Sequence, residues 1–514
     1  MFVFWESRVL VLLFFFRFLY SSQGAIHGYE AGKFTPLGYN SYVFQGGREG
    51  LFASTEPEEQ KSMVHAVNKQ VSDGRSYIRL ADLEFHRSQQ ASRKFRMMDG
   101  ANSVVQVVIF EVKDRDLVGH RLDDGSRRIC CSQKLAVELH CTPGRAIVQE
   151  VSTPDKNTPW VHDIYFEGNE SVAHAAETAV LSIKQTGMYH MWFVTCDPEL
   201  ADATVHGMTT WKNPHGFLPG MMAANLHFFG AMSLASLFLG FAWLILYVRH
   251  WQSVIPLQHC ITALISLTMM EFSTWYFDFV NFNSSGFRPH MTTIWAVLLG
   301  SLRKALSRML VLVVSMGYGV VRPTLGGLSK TVWLLGGTYF IAASALDFVT
   351  HVGTVDDLSS LARIALVLPA AILDAIFILW IFSALSKTLN RLTARRKAVK
   401  LSLYRMYTNT LAIAVWISIC WIAFEMFFKV TDSRNTEKWQ SYWVTDAFWQ
   451  VLMFVILAII CTLWRPSKNS QLYTYTEADG DIDMDEISTD PNDNDTQANT
   501  DVFSIGDEEE NKMA

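Results

Sequence analysis

The sequence predicts a mixed fold, in which an N-terminal β-sandwich precedes an all-α bundle of seven transmembrane helices and a disordered acidic tail. A secretory-type N-terminus is followed by roughly 190 mostly polar residues and then by seven apolar segments. Each segment is long enough to cross ~30 Å of hydrocarbon as a helix. This order indicates that a sizeable domain crosses the membrane first and that a helical bundle then anchors it. The predicted spans are residues 226–248, 254–279, 292–321, 331–350, 364–386, 406–430 and 443–464.

Residues 1–24 are expected to be a signal peptide. Arg8 gives the apolar stretch a positive flank, and Ser22 and Gly24 are small residues at the −3 and −1 positions of a cut before Ala25. An uncleaved anchor is the alternative, although the apolar stretch is short for a span.

Residues 25–214 are expected to form the lumenal β-sandwich. Four short runs rich in β-branched or aromatic residues, 104–112, 146–151, 160–166 and 188–194, predict strands, and Pro and Gly lie between them. Short strands combined with cysteines in a translocated domain favour a sandwich.

Four cysteines lie in the region expected to be translocated, where the oxidising compartment favours two disulfides. A bond between the adjacent Cys130 and Cys131 would be strained, so each is expected to pair separately with Cys141 or Cys196, in an order that the sequence leaves open. No second close pair of cysteines is present to suggest a zinc site, and no metal is expected.

The charge pattern predicts the orientation. With a lumenal N-terminus, an odd number of spans places the C-terminus in the cytosol. The loop 387–405 then faces the cytosol, and it carries seven Lys or Arg and no acid, as the positive-inside rule requires. Asn169 and Asn283 each begin an Asn-x-Ser triplet in a region expected to be lumenal, and both are candidate glycosylation sites.

Charged residues lie where lipid is expected. The third span contains three bases, and each would cost at least ~2.5–3.5 kcal/mol if it faced lipid. Acids in other spans supply counter-ions, so these charges predict a polar, hydrated cavity that opens toward the lumen and accepts a ligand or an ion. The alternative is a set of structural ion pairs without a ligand. The candidate cavity residues are Glu271, Arg303, Lys304, Arg308, Asp347, Asp374 and Glu425.

Two further charges lie near span ends. Asp278 and Lys429 are expected to extend toward the membrane interface rather than to line a site.

Three motifs lie at structural boundaries: residues 210–220 (TWKNPHGFLPG), 315–323 (SMGYGVVRP) and 463–467 (LWRPS). Together they resemble the lung seven-transmembrane receptor family, whose members carry a Golgi-dynamics (GOLD) β-sandwich in front of seven helices. The second and third motifs are most similar to the branch typified by transmembrane protein eighty-seven. The resemblance covers nearly the whole chain from the sandwich to Ser467 and does not include the tail.

The resemblance implies residence in the Golgi apparatus and endosomal membranes, and a role in membrane trafficking that includes retrograde return to the Golgi. It also implies similarity to Wnt-carrier proteins, whose bundle holds a lipid-lined cavity, so a bound phospholipid is expected. A cation channel or a G-protein-coupled-type receptor is the alternative function. The expected partners are membrane lipid and a lumenal cargo or ligand protein.

The tail, residues 466–514, has 14 Asp and Glu against two Lys and no apolar period, so it is expected to be disordered. Ser504 precedes an acidic run, and its phosphorylation would add about −1.5 to −2 charge. Such a cluster is a candidate signal for cytosolic sorting adaptors, and a merely solvated tail is the alternative.

Several function classes are not expected. No His-Glu-x-x-His, Gly-x-Ser-x-Gly or Gly-rich phosphate loop stands in a suitable context, so no enzyme activity and no cofactor are expected. A nucleic-acid partner is excluded by topology, because the basic loop is short and lies against the membrane. The third span lacks the acidic-Arg-aromatic triplet of rhodopsin-like receptors.

Overall fold

A computed structural model provides the structure of this protein. The expected signal peptide, Asn169, Ser504 and the tail from residue 467 onward lie outside the residues that it describes. The described residues are 25–38, 40–55, 74–89, 91–92, 103–122, 127–149, 158–167, 170–176, 178–319, 321, 326–351, 360–395, 398–431 and 438–466.

The N-terminal region contains two antiparallel five-stranded sheets that share one apolar core, followed by a helical region, which confirms the predicted fold class. The strands are β1 (Ile26–Lys33), β2 (Thr35–Pro36), β3 (Tyr42–Leu51), β4 (Tyr77–His86), β5 (Val104–Glu111), β6 (His120–Arg121), β7 (Arg127–Arg128), β8 (Trp160–Tyr165), β9 (Val172–His174), β10 (Val180–Ser182), β11 (Gly187–Thr195) and β12 (Thr204–Lys212).

One sheet has the order β1-β12-β4-β10, with β9 also paired to β4, and the other has the order β2-β3-β11-β5-β8. Aromatic side chains join the two sheets, since Phe193 of β11 meets Phe85 of β4 with ring centroids 5.4 Å apart. A separate ribbon pairs β6 with β7.

Three of the four runs predicted as strands are β5, β8 and β11. The prediction of a strand at 146–151 is wrong for the residues that the structure describes there. Ala146 and Val148 make only isolated bridges, to Cys130 and Val118. The segment lies against a loop, whose backbone offers single residues rather than a strand for pairing.

Two disulfides fix that loop. Cys130 bonds to Cys196, which follows β11, and Cys131 bonds to Cys141. Each of the adjacent cysteines therefore pairs separately, as the sequence predicts, and the structure adds the order. The 66-residue separation of the first pair ties the loop to the central strand of its sheet.

The helical region has one long helix for each predicted span. Long apolar stretches favour helices there, because a helix satisfies its backbone hydrogen bonds internally. The helices are α1 (Ala223–Arg249), α2 (Pro256–Ser285), α3 (His290–Ser315), α4 (Leu328–His351), α5 (Ser360–Ala394), α6 (Ala398–Thr431) and α7 (Trp443–Leu463).

The third helix ends at Ser315, six residues before the predicted end of its span. Gly317 adopts a left-handed φ of 82° and Gly319 one of 75°, conformations that end a helix and that favour glycine. The Thr388 hydroxyl of α5 donates to the Ser315 carbonyl at 2.8 Å and satisfies one of the acceptors left free at this end.

The sandwich rests directly on the bundle. Gly220, just before α1, donates its backbone N–H to the Gly50 carbonyl of β3 at 2.9 Å. The buried Asn213 side chain accepts from the Phe52 backbone N–H at 2.9 Å. Trp439, before α7, packs on Phe52 with ring centroids 5.4 Å apart. These contacts connect both ends of the bundle sequence to one edge of the sandwich.

Candidate functional site

Helix α3 carries the three predicted cations, and neighbouring helices bury much of its surface. Each cation meets a carboxylate that comes from a different helix, namely α2, α4 or α5. The pairs are Arg303–Glu271, Lys304–Asp347 and Arg308–Asp374.

The Arg303–Glu271 pair is the most buried of the three. Arg303 donates from Nε and Nη2 to the two carboxylate oxygens of Glu271, and Nη2 also donates to the Gln450 side chain of α7. The guanidinium carbon lies 5.4 Å from the centroid of the Phe272 ring. A side chain at Gly300 would place its Cβ 3.0 Å from Glu271 Oε1, so the close approach of α2 and α3 depends on this glycine.

The second pair joins α3 to α4. The Lys304 ammonium lies 2.9 Å from each carboxylate oxygen of Asp347. Ser301, one helical turn earlier, donates its hydroxyl to Asp347 Oδ2 at 2.9 Å. The carboxylate thus accepts from two side chains of α3, which fixes the rotation of α3 relative to α4.

The third pair joins α3 to α5. Arg308 donates from Nε to Asp374 Oδ1, and its Nη1 donates to the Lys304 carbonyl at 3.2 Å. Its guanidinium carbon lies 4.4 Å from the centroid of the buried Tyr339 ring of α4, a cation–π geometry.

The second and third pairs are more exposed than the first, with Arg308 at 18%. The side chains of Arg303 and Glu271 are 4% and 1% exposed. Those of Lys304 and Asp347 are 30% and 15% exposed, and that of Asp374 reaches 36%. Two of the three pairs therefore remain accessible from outside the protein, as groups that contact a ligand, water or an ion must be.

Glu425, the seventh candidate, does not join these pairs. Its carboxylate binds Lys429 on the same helix, with Oε1 2.6 Å from Nζ. Residues four apart on a helix are neighbours, so the local partner is the one available. The Lys429 side chain is 49% exposed and lies two residues before the end of α6.

Sequence reasoning missed two residues of α7. Gln450 binds Arg303, and Asp446 interacts electrostatically with Lys429 and Glu425 of α6 and with the Lys304–Asp347 pair. Asp446 lies in the first turn of its helix, where a charge ordinarily belongs to the membrane interface. The one sequence signal for its role is that Asp446 lies within the seventh predicted span, near the same end of the bundle as the other acids.

The comparisons with known proteins agree with this architecture. Residues 224–471 match the family model described as GOST, seven transmembrane domain. The chain is 36% identical over 267 residues to transmembrane protein 87A of Xenopus tropicalis, which covers 52% of this chain and 48% of the relative. It is 34% identical over 301 residues to transmembrane protein 87B of Mus musculus, covering 58% and 53%.

The chain is a membrane protein whose helical region, residues 224–471, is a GOST seven-transmembrane domain. The finding confirms the resemblance drawn from the motifs, since the transmembrane 87 proteins belong to the lung seven-transmembrane receptor family. Membrane protein PTM1 of Saccharomyces cerevisiae is more distant, at 24% identity over 405 residues and 73% coverage of both chains. This chain spans about half the length of the two transmembrane 87 relatives that it matches.

The charges of the GOST bundle affect how its spans are recognised. Within the described part of the chain, five helices are long and apolar enough to cross a membrane by length and composition alone. Helices α2 and α3 are not among them. These two helices carry the Arg303–Glu271 pair and the other two cations of the row. The charged side chains lower the mean hydropathy of α2 and α3.

The expectation that Asp278 extends toward the interface is wrong. Its side chain is fully buried; Arg288 Nε lies 3.4 Å from Oδ2, and the Thr293 hydroxyl donates to Oδ1 at 2.8 Å. Arg288 also donates to the His351 carbonyl at the end of α4 at 3.0 Å. The pair therefore joins α4 to the turn between α2 and α3.

The structure gives Asn283 a place in the joint between sandwich and bundle. Its Nδ2 donates to the His215 carbonyl at 2.9 Å, and its Oδ1 accepts from the Leu218 backbone N–H at 3.1 Å. Gly216, with a φ of 136°, packs against the same amide. A glycan would be attached to Nδ2, so this geometry disfavours the expected modification at Asn283.

Proposed function

We propose that this GOST-family chain is a Golgi and endosomal protein of membrane trafficking, active in retrograde return to the Golgi, whose bundle holds a phospholipid or another polar ligand. The resemblance of its motifs supports the trafficking role. The ligand is supported by one observation above all, the partial exposure of the Lys304–Asp347 and Arg308–Asp374 pairs inside a row of charges.

The argument for a ligand is energetic. A buried ion pair needs its partner and further hydrogen bonds to offset the lost hydration, and Arg303–Glu271 has both. The two more exposed pairs are under less constraint of this kind and can also contact a polar ligand. A zwitterionic headgroup carries a phosphate and an ammonium, which complement a lysine and an aspartate that remain accessible. In the orientation that the positive-inside pattern predicts, the N-terminus is lumenal, and the three cations occupy the middle of α3 and the turn that follows it toward the cytosol.

Native mass spectrometry of the full chain, purified in detergent, tests the ligand. We expect a phospholipid mass to remain bound to the wild type and to be lost from Lys304→Met/Asp347→Leu. The matched control is Lys429→Met/Glu425→Leu, which removes an ion pair from α6 and should keep the lipid. Absence of lipid from the wild type, or equal retention in all three proteins, would overturn the ligand proposal.

Imaging of the tagged full chain with Golgi and endosomal markers tests the location. We expect overlap with both markers, and a changed distribution after deletion of residues 501–514 if the Ser504 cluster is a sorting signal. Steady-state residence at the cell surface would contradict the trafficking role. An unchanged distribution after the deletion would remove only the sorting signal.

A cation channel is the second candidate, because Asp374 is a partly exposed acid within the polar row and Asp446 interacts electrostatically with Lys304 and Asp347 of that row. Reconstitution in planar bilayers tests it directly. A cation current that Asp374→Asn reduces would support the channel, and absence of current across a wide range of voltage and pH would exclude it.

A further inference from the structure

A cleft lies at the end of α3, apart from the row of ion pairs. It has a volume of about 370 Å³. The segment after α3, the beginning of α4 and the last turns of α5 line it, with Tyr318, Leu328, Trp380, Lys387 and Arg391 among the lining residues.

Hydrogen bonds fix the wall of this cleft at the end of α3. The left-handed Gly317 turns the chain away from the axis of α3, and the Val321 N–H then donates to the Gly317 carbonyl at 2.8 Å. Thr388, a buried residue of α5, donates its hydroxyl to the Ser315 carbonyl at 2.8 Å. Tyr404 of α6 donates to the Val314 carbonyl at 3.1 Å. Helices α5 and α6, together with the local turn, thus hold the end of α3 in place.

The rim of the cleft carries unneutralised positive charge. Lys387 is exposed and Arg391 is half-buried, and both line the cleft from positions four residues apart on α5. Neither has an ion-pair partner among the residues that the structure describes. Like charges at this spacing repel each other, so a bound anion would stabilise the site.

Below the rim the cleft is amphipathic. Leu328 and the partly buried Trp380 give it an apolar wall, whereas Tyr318 and Ser383 add hydroxyl groups. Cations and hydroxyls suit a phosphate, and the apolar wall suits an acyl chain. Basic pockets between transmembrane helices bind anionic headgroups on the cytosolic side of membranes.

We infer that this cleft binds the phosphate headgroup of an anionic phospholipid from the cytosolic leaflet. The charge pattern of residues 387–405 places this end of the bundle in the cytosol, where anionic lipids are enriched. The site is separate from the row of charges on α3, so either can fail without the other.

The test titrates the full chain, purified in detergent, with water-soluble dihexanoyl phosphatidic acid and measures binding by native mass spectrometry. Lys387→Gln/Arg391→Gln should weaken binding about tenfold or more, since each basic residue near the headgroup contributes about one kcal/mol. The matched control Arg395→Gln/Arg405→Gln removes two exposed cations from the same end of the bundle and should change binding little. Ser383→Phe fills the cleft without changing charge and should also abolish binding.

Two further probes identify the ligand. Dihexanoyl phosphatidylcholine should bind more weakly than phosphatidic acid, because its headgroup has no net charge. Glycerol 3-phosphate, which lacks acyl chains, should compete poorly; equal affinity for it would replace the lipid by a soluble phosphate ester. Equal losses in the cleft and control variants, with unchanged melting temperatures, would reduce the effect to general surface charge and overturn the site.

Discussion

Arg303 on α3 donates to both carboxylate oxygens of Glu271 on α2, and both side chains are buried. A charge at this depth is tolerated only when its partner is present and hydrogen-bonded. Gln450 supplies a further acceptor from α7, so three helices meet at one guanidinium. The pair thus forms the buried end of a row whose other members are accessible.

Removing one partner of this pair should destabilise the bundle strongly. Arg303→Met or Glu271→Leu leaves a buried charge unpaired, which costs about 3–5 kcal/mol. The double variant Arg303→Met/Glu271→Leu should lose less than the sum of the two. Thermal unfolding in detergent measures the loss of stability of each variant. The control Glu425→Gln breaks a more exposed pair and should cost less than about 1 kcal/mol. Additive losses would show that the two residues act independently.

Substitution of Gly300, which allows α2 and α3 to approach at this pair, should also destabilise the bundle. Gly300→Ala places a methyl group 3.0 Å from Glu271 Oε1 and should lower the melting temperature by displacing the carboxylate. Gly337→Ala in α4 is the matched control, since nothing lies within 4 Å of its added Cβ and the position is exposed. It should be neutral or slightly stabilising, because alanine favours helix. Equal effects of the two changes would contradict a tight contact at Gly300.

The sequence contains enough to predict the helices and the chemical character of the pairs, but not the partners. Long apolar segments define helices with little ambiguity, and cations within them require acids nearby. Which acid meets Lys304 depends on helix rotation and neighbour order, which the hydropathy of α4 and α5 does not encode. Asp278 was misplaced because its partner, Arg288, lies in a turn outside the predicted spans.

The sandwich was less predictable for a related reason. β3 contains Gly46, Gly47 and Gly50, which hide its strand pattern. Two of these glycines allow close approach, since a Cβ at Gly46 would meet Phe193 and one at Gly50 would meet Trp439. Such residues reflect contacts between distant segments, and local propensity cannot show them.

The two disulfides should differ in their effect on stability. Cys130–Cys196 closes 66 residues and Cys131–Cys141 only ten. Chain entropy then predicts losses of about 4 and about 3 kcal/mol when each pair is changed to serine. Urea unfolding of the full chain, followed by protease sensitivity of the sandwich, compares Cys130→Ser/Cys196→Ser with Cys131→Ser/Cys141→Ser. A larger loss for the shorter loop would contradict the entropic argument.

Acid should weaken the sandwich through His190. Burial, together with the Arg48 and Arg115 cations, lowers its pKa from 6.5 to about 4, and Arg48 lies directly opposite on β3. The folded state resists protonation while the unfolded state accepts a proton below pH 6.5, so stability falls as pH drops from 6.5 toward 4. The loss is on the order of 3 kcal/mol. His190→Gln should reduce the fall of the melting temperature between pH 6.5 and pH 4. An unchanged pH dependence would show that other groups cause the acid sensitivity.

The joint between sandwich and bundle should depend on the Asn283 amide. Asn283→Asp replaces the donor to the His215 carbonyl by an acceptor and should destabilise the joint by about 1–3 kcal/mol, the cost of an unsatisfied polar contact. Asn281→Asp, exposed on the same helix, is the matched control and should have little effect. Because Nδ2 is engaged, we also expect Asn283→Gln to leave the electrophoretic mobility of the chain unchanged after expression in a glycosylating host. A mobility shift equal to that produced by endoglycosidase would show that Asn283 carries a glycan.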